Sequence, residues 1–306
     1  MQVLRNFFYW IATTTVTLCL VAVTGDRATA GVFYNGWNYA IDSFDDGVTG
    51  NSVGGGVFEF YGMAIKEDAD KIIIALNANL PLSGFADANA EGGSITWGDL
   101  FFNFSGQDFN TASSNGNLFG IRFAAENDSG VPYLGVYSDV TAKNVTEINP
   151  GFFNLTHYNN YVESEGSTPG MGDLAATDPY FEQNGRWTIL NEIETGNKVG
   201  DIEFQSELAL HQFGVDFSNF NANGNYTIGF SFDRALFPVG DYTAHIFAEC
   251  ANDGIAIQGE RRKVPEPSSL MGLLLLAGLA GVSGKFRRRS KSFDLGYSSD
   301  CSRSYR

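Results

Sequence analysis

The chain has 306 residues, a net charge of −16, 43% hydrophobic residues and three cysteines. Between Gly31 and Glu260 there are 7 Lys and Arg against 31 Asp and Glu, a net −24, and so acidic a region repels nucleic acid and anionic lipid. Only Cys250 lies in that middle region, Cys19 and Cys301 falling in the two ends, which excludes a disulfide framework.

The first thirty residues form a secretory signal. Arg5 is the one charge before an apolar run from Ile11 to Val23, and Ala28-Thr29-Ala30 places small residues at Ala28 and Ala30, the two positions read by signal peptidase. Gly31 is therefore expected to begin the mature protein. The run is shorter than the ~20 residues of a comfortable membrane span.

The mature part opens with Trp37-Asn38-Tyr39-Ala40-Ile41-Asp42-Ser43-Phe44-Asp45-Asp46-Gly47. Asp42, Asp46 and Gly47 fit positions 1, 5 and 6 of a calcium-binding EF-hand loop, but Phe44 and Val53 occupy positions 3 and 12, so this is not an EF-hand. Asp42, Asp45 and Asp46 remain candidate calcium ligands of another kind; the alternative is a turn whose Asp side chains satisfy backbone amides. Asn252-Asp253-Gly254 carries the same pair of readings.

Period-2 alternation and β-branched or aromatic enrichment predict strands at Val57–Tyr61, Lys71–Leu76, Asp99–Phe104, Phe119–Ala125, Asn225–Phe232 and Tyr242–Cys250. The run Ile72-Ile73-Ile74 predicts burial on both faces. Turn-rich stretches separate them at Asn51–Gly56, Ser83–Gly93, Thr111–Asn117 and Gly166–Gly172. Helical signal is weak everywhere except Ile202–Phe213. The expected fold is all-β, a two-sheet antiparallel sandwich of jelly-roll or Greek-key style occupying residues 31–257.

No catalytic residue is indicated. His157, His211 and His245 are scattered, and no HExxH, GxSxG, P-loop or Rossmann glycine pattern occurs. Cys250 sits among apolar residues and is expected to be a buried small hydrophobe. Paired carboxylates serve glycosidases, but 31 acids make chance pairs inevitable. Trp37, Trp97 and Trp187 are candidates for stacking on sugars, against a core role.

The C-terminal part has three consecutive features. Residues 258–269 predict a linker containing Pro265-Glu266-Pro267, where the prolines hold the chain extended. Residues 270–284 form a short apolar segment, expected to be a transmembrane helix. Residues 285–306 form a basic tail, and Arg287, Arg288 and Arg289 fix that end in the cytoplasm, which puts the acidic domain outside, as the signal peptide does.

Pro265-Glu266-Pro267 followed by an apolar helix and an Arg cluster resembles the PEP-CTERM sorting signal of Gram-negative bacteria. The resemblance implies recognition by exosortase, an integral membrane cysteine protease or transpeptidase. It also implies an inner-membrane anchored precursor that passes to the cell surface or to an exopolysaccharide matrix. The chain departs from the usual pattern in continuing for 17 residues after Arg289. The segment from Trp37 resembles the W-x-Y-x-I-D-S-x-x-D opening of one subgroup of exosortase-dependent surface proteins. Glu249-Cys250-Ala251-Asn252-Asp253 resembles an E-C-x-N-D ending in related ones. No catalysis is implied for that subgroup. The expectation is a non-enzymatic, exported surface or extracellular-matrix protein with exosortase as partner; the alternative is an exopolysaccharide-binding module.

Overall fold

The computed structural model describes residues 31–263. Sixteen strands follow in chain order: β1 (Val32–Tyr34), β2 (Trp37–Ile41), β3 (Val48–Thr49), β4 (Ser52–Val53), β5 (Phe60–Glu67), β6 (Lys71–Ala78), β7 (Phe85–Ala86), β8 (Ser94–Ile95), β9 (Leu100–Asn103), β10 (Leu118–Arg122), β11 (Gly135–Lys143), β12 (Glu192–Gly200), β13 (Glu203–Gln205), β14 (Tyr226–Asp233), β15 (Gly240–Phe247) and β16 (Gly254–Arg261). Three short helices interrupt them: α1 (Phe109–Ser114), α2 (Leu155–Ser164) and α3 (Glu207–Gln212). None of the described helices is long and apolar enough to cross a membrane.

Two six-stranded antiparallel sheets result, ordered β1-β2-β5-β6-β14-β13 and β12-β11-β10-β9-β15-β16, with β3-β4 and β7-β8 as small ribbons. The sequence predicts this two-sheet sandwich, and the reason is the alternation of inward residues. Met63, Ile65, Ile72, Ile74, Leu76, Phe230 and Phe232 from the first sheet meet Leu100, Phe102, Ile121, Ala244, Ile246 and Ile257 from the second in one apolar layer. Such a layer is the main favourable term in folding. Ile73 points the other way and is still buried, because α3 and the segment after it bring Leu210, Val215 and Phe217 over the outer face of the first sheet. The outer face of the second sheet is covered by α1 and α2.

The helices are set by caps and by burial. Asp108 accepts from the Thr111 N–H at the start of α1 (2.9 Å) and Asn154 from the His157 N–H at the start of α2 (2.7 Å). Leu155, Tyr158, Asn159 and Val162 then form the buried stripe of α2. The predicted turn at Thr111–Asn117 is thus largely helix, and only α3 lies where the sequence carries helical signal.

Most predicted strand boundaries move by one to three residues, and two shifts bear on the site. β5 begins at Phe60, not Val57, because the segment before it is drawn into a turn around the Glu59 carboxylate. β16 runs to Arg261, four residues into the stretch read as linker. It pairs with β15 along its full length, from Gly240–Arg261 to Phe247–Gly254. Its end is fastened by Arg234, which pairs with Glu67 at 2.7 Å and donates to the Arg262 carbonyl.

Candidate metal centre

At one end of the sandwich, four acids converge from segments far apart in the chain. Asp42 follows β2, Asp46 lies in the next turn, Glu59 immediately precedes β5 and Asp253 immediately precedes β16. Exposure is 7% for Asp42, 0% for Asp46 and Glu59 and 1% for Asp253. One carboxylate oxygen from each of Asp46, Glu59 and Asp253 lies within 4.8 Å of the others.

Backbone amides hold the carboxylates in place. Glu59 Oε2 accepts from the Gly47 (3.1 Å) and Gly55 (2.8 Å) N–H groups, and Gly55 reaches this position with φ +68°. Asp253 accepts from Phe60 and Gly254, each at 2.7 Å. Gly170 donates to Asp46 Oδ2, Gly172 donates to Asp42 Oδ1 (3.0 Å), and the Tyr158 hydroxyl of α2 donates to the Asp46 carbonyl (3.2 Å). A side chain at position 170 would run into the Asp42 carboxylate. Asn252 binds both backbone groups of Val48, through its own carbonyl and its side-chain amide.

The electrostatics are unbalanced. Burial raises all four carboxyls, Asp46 to about 6 and Glu59 to about 7, and repulsion between the acids adds to it at Asp42, Glu59 and Asp253. Among the described residues, no Lys, Arg or His is a leading cause of any of these shifts. Asp46 Oδ1 and Asp42 Oδ2 are buried with no hydrogen-bond partner among the described residues. An arrangement of this kind can hold protons or a hard cation.

The sequence singles out Asp42, Asp45 and Asp46. The structure brings Asp42 and Asp46 together, whereas Asp45 is exposed and accepts from the Ser43 hydroxyl at 3.0 Å. Glu59 was hidden in a segment read as strand; Asp253 carried only a turn-or-ligand reading. Both segments flagged by resemblance end here. The first supplies Asp42 and Asp46, after Trp37 donates to the Phe213 carbonyl (3.0 Å) and Tyr39 accepts from Asp216 N–H (2.8 Å). The second supplies Asp253.

The other candidates separate. Trp37 and Trp97 are 0% and 1% exposed, Trp97 stacking on Phe60 at 4.4 Å, which removes both as sugar platforms. Trp187 is half-buried with φ +61°. Cys250 is buried, and burial pushes its thiol well above the usual range. His245 is fully buried, while His157 and His211 are exposed. Ala28, Ala30, Pro265, Glu266, Pro267, Arg287, Arg288 and Arg289, with the expected signal peptide and membrane helix, lie outside the described residues.

Residues 263–289 match the family model of the PEP-CTERM protein-sorting motif. The chain carries a PEP-CTERM sorting signal. That signal marks an exported, membrane-associated precursor of a Gram-negative bacterium with exosortase as its sorting partner. The PEP-CTERM match begins two residues after the last residue of β16, so the sandwich runs almost directly into its sorting signal. No curated protein and no solved structure matches the chain.

Proposed function

We propose that this chain is a non-catalytic protein of the cell surface or extracellular matrix, displayed there after exosortase reads its PEP-CTERM signal. The observation that carries this reading is the sorting motif at residues 263–289, joined to an acidic sandwich with its own core. The burial of the four-acid cluster, of His245 and of Cys250 supports the non-catalytic part. The carboxyls raised by their surroundings at Asp42, Asp46, Glu59 and Asp253 are each at least 93% buried, as are His245 and Cys250, and a polymeric substrate does not reach them.

The test is the replacement of Pro265-Glu266-Pro267 by three alanines. The variant is expected to remain membrane-bound at full length, while the unaltered chain is released or displayed in a shortened form, read by intact mass. Normal release of the variant overturns the reading.

One observation favours exopolysaccharide binding as a second reading. Trp187 lies beside Phe153 (ring centroids 6.1 Å apart), which stacks on exposed His157 (4.4 Å). This is an aromatic ledge of the kind that sugars stack on. Trp187→Ala is expected to abolish co-sedimentation with the producing cell's exopolysaccharide while leaving folding intact; unchanged co-sedimentation removes this reading.

A further inference from the structure

We propose that Asp46, Glu59 and Asp253 bind one calcium ion, which clamps the turn after β2, the start of β5 and the start of β16 into one end of the sandwich. The donors are oxygen only, which suits a hard cation rather than zinc or copper. Calcium–oxygen distances of about 2.3–2.6 Å place oxygens on opposite sides of the ion roughly 4.6–5.2 Å apart. One oxygen from each of the three carboxylates lies within 4.8 Å of the others, close enough for one ion to bridge them. Magnesium, at about 2.0–2.1 Å, needs a tighter octahedron and gives up its waters reluctantly.

The orphaned oxygens point independently to a ligand. Asp46 is 0% exposed and its Oδ1 has no donor, although Oδ2 of the same carboxylate takes the Gly170 N–H. Asp42 repeats the pattern one turn earlier, Oδ1 satisfied by Gly172 and Ser43 and Oδ2 by nothing. Buried acceptors are almost always paired, and two orphans beside two further carboxylates amount to a missing positive charge. A Ca²⁺ ion would neutralise two of the four charges and take up a lone pair on each ligating carboxylate, whose remaining lone pairs stay on the amides.

Because the site is enclosed, the ion enters as the loops settle, so binding is linked to completing the fold. Tyr158 extends the clamp to α2 through the Asp46 carbonyl. The exported location of the site rests on the sorting signal; cation binding does not, and the two fail in different experiments.

The test uses the full-length protein purified in detergent, stripped with EDTA, and then given Ca²⁺ or Mg²⁺ alone. At Ca²⁺ about 100-fold over Kd, the melting temperature is expected to rise by roughly 5–10 °C. Titration calorimetry should give one ion per chain, and Mg²⁺ a smaller shift. Glu59→Gln and Asp253→Asn are expected to lose the Ca²⁺ shift. Asp45→Asn, which removes an exposed acid outside the group, is expected to keep it. An unaltered protein that melts identically with EDTA and with saturating Ca²⁺, and shows no calorimetric binding, overturns the proposal. That result would leave a proton-sharing carboxyl cluster in its place. Loss of the shift in Asp45→Asn with its retention in Glu59→Gln also overturns it.

Discussion

The molecule buries two clusters of acids and balances them to different degrees. Among the described residues, Asp42, Asp46, Glu59 and Asp253 enter no ion pair and two of their oxygens are orphaned. Around Asp99, Glu192 and Glu249, at the junction of β9, β12 and the end of β15, the chain supplies a donor to every carboxylate oxygen but Glu192 Oε1. Asp99 accepts from the Ser129 hydroxyl (2.6 Å), the Ile193 N–H (2.8 Å) and the Asn127 amide (2.9 Å), which also reaches Glu192 at 3.0 Å. Glu249 accepts from the Thr96 (2.5 Å) and Asp128 (2.7 Å) N–H groups. Asn127 is the pivot. Its side-chain carbonyl accepts from Arg122 Nε (2.9 Å), so a buried guanidinium polarises the amide that serves two acids. Acid clusters therefore differ less in their number of charges than in whether the chain brings its own positive end.

The largest effect is expected where the self-sufficient cluster loses that end. Arg122→Met leaves the Val131 and Ala125 carbonyls and the Asn127 side chain without their donor. It is expected to cost about 3–5 kcal/mol, the scale of breaking a buried charged network. Asn127→Leu strips one donor from each of two buried carboxyls and is expected to cost about 2–3 kcal/mol. Urea unfolding of both variants, at constant m-value, checks the order. A negligible loss in Arg122→Met would mean that the two clusters are not different in kind.

His245 sharpens the comparison from the other side, since it has no partner of either charge. It pairs across the ladder with Phe101 and sits among the rings of Phe101, Phe109, Tyr180, Phe181 and Phe247, with neither ring nitrogen bonded. Burial alone lowers it to about 3. The unfolded chain takes a proton near pH 6.5 and the folded one does not, so this group's stabilisation is present above pH 6.5. It is lost as pH falls from there through about 3. Glu249 and Asp173, both raised to about 7 by burial, act in the opposite sense, so the readout is the difference between the unaltered protein and His245→Phe. That difference is expected to grow in favour of the variant as pH falls, by roughly 2–3 kcal/mol at pH 4.5 relative to pH 8. A pH-independent difference would show that His245 takes up its proton as readily in the fold as in the unfolded chain.

The part of this plan that was legible in the sequence is the part set by local pattern. The alternating runs at β6, β9, β14 and β15 announce a sandwich, and Ile72-Ile73-Ile74 announces cover on both faces. α2 was not legible because Thr, two Tyr and two Asn among its ten residues carry little helix propensity; the burial of Leu155, Tyr158 and Val162 decides it. β16 was masked by Gly259 and by charges at its end, and its strand character comes from pairing with β15. Asp42 and Asp46 stood out because a turn gathers them within five residues. Glu59 and Asp253 join them only through the antiparallel pairing of β2 with β5 and the packing of β16, from the other sheet, against both, which no local window contains.

The smallest expected effect is the one that separates the clusters most cleanly, because its sign differs between them. Asp46→Asn removes one charge from a group of four acids without a counter-ion and keeps an acceptor for the Gly170 N–H. In EDTA this substitution is expected to leave stability unchanged or to raise it by up to about 1 kcal/mol, since relieved repulsion offsets the altered hydrogen bonding. In saturating Ca²⁺ the same substitution is expected to lower stability relative to the unaltered protein. The comparable change in the other cluster, Asp99→Asn, sets an amide N–H₂ either against the Asn127 donor or against the Ser129 and Ile193 donors and is expected to destabilise regardless of calcium. Thermal melts of the two variants under both conditions give four numbers. A destabilised Asp46→Asn in EDTA, equal in size to Asp99→Asn, would mean that the first cluster is held together by the chain's own hydrogen bonds just as the second is.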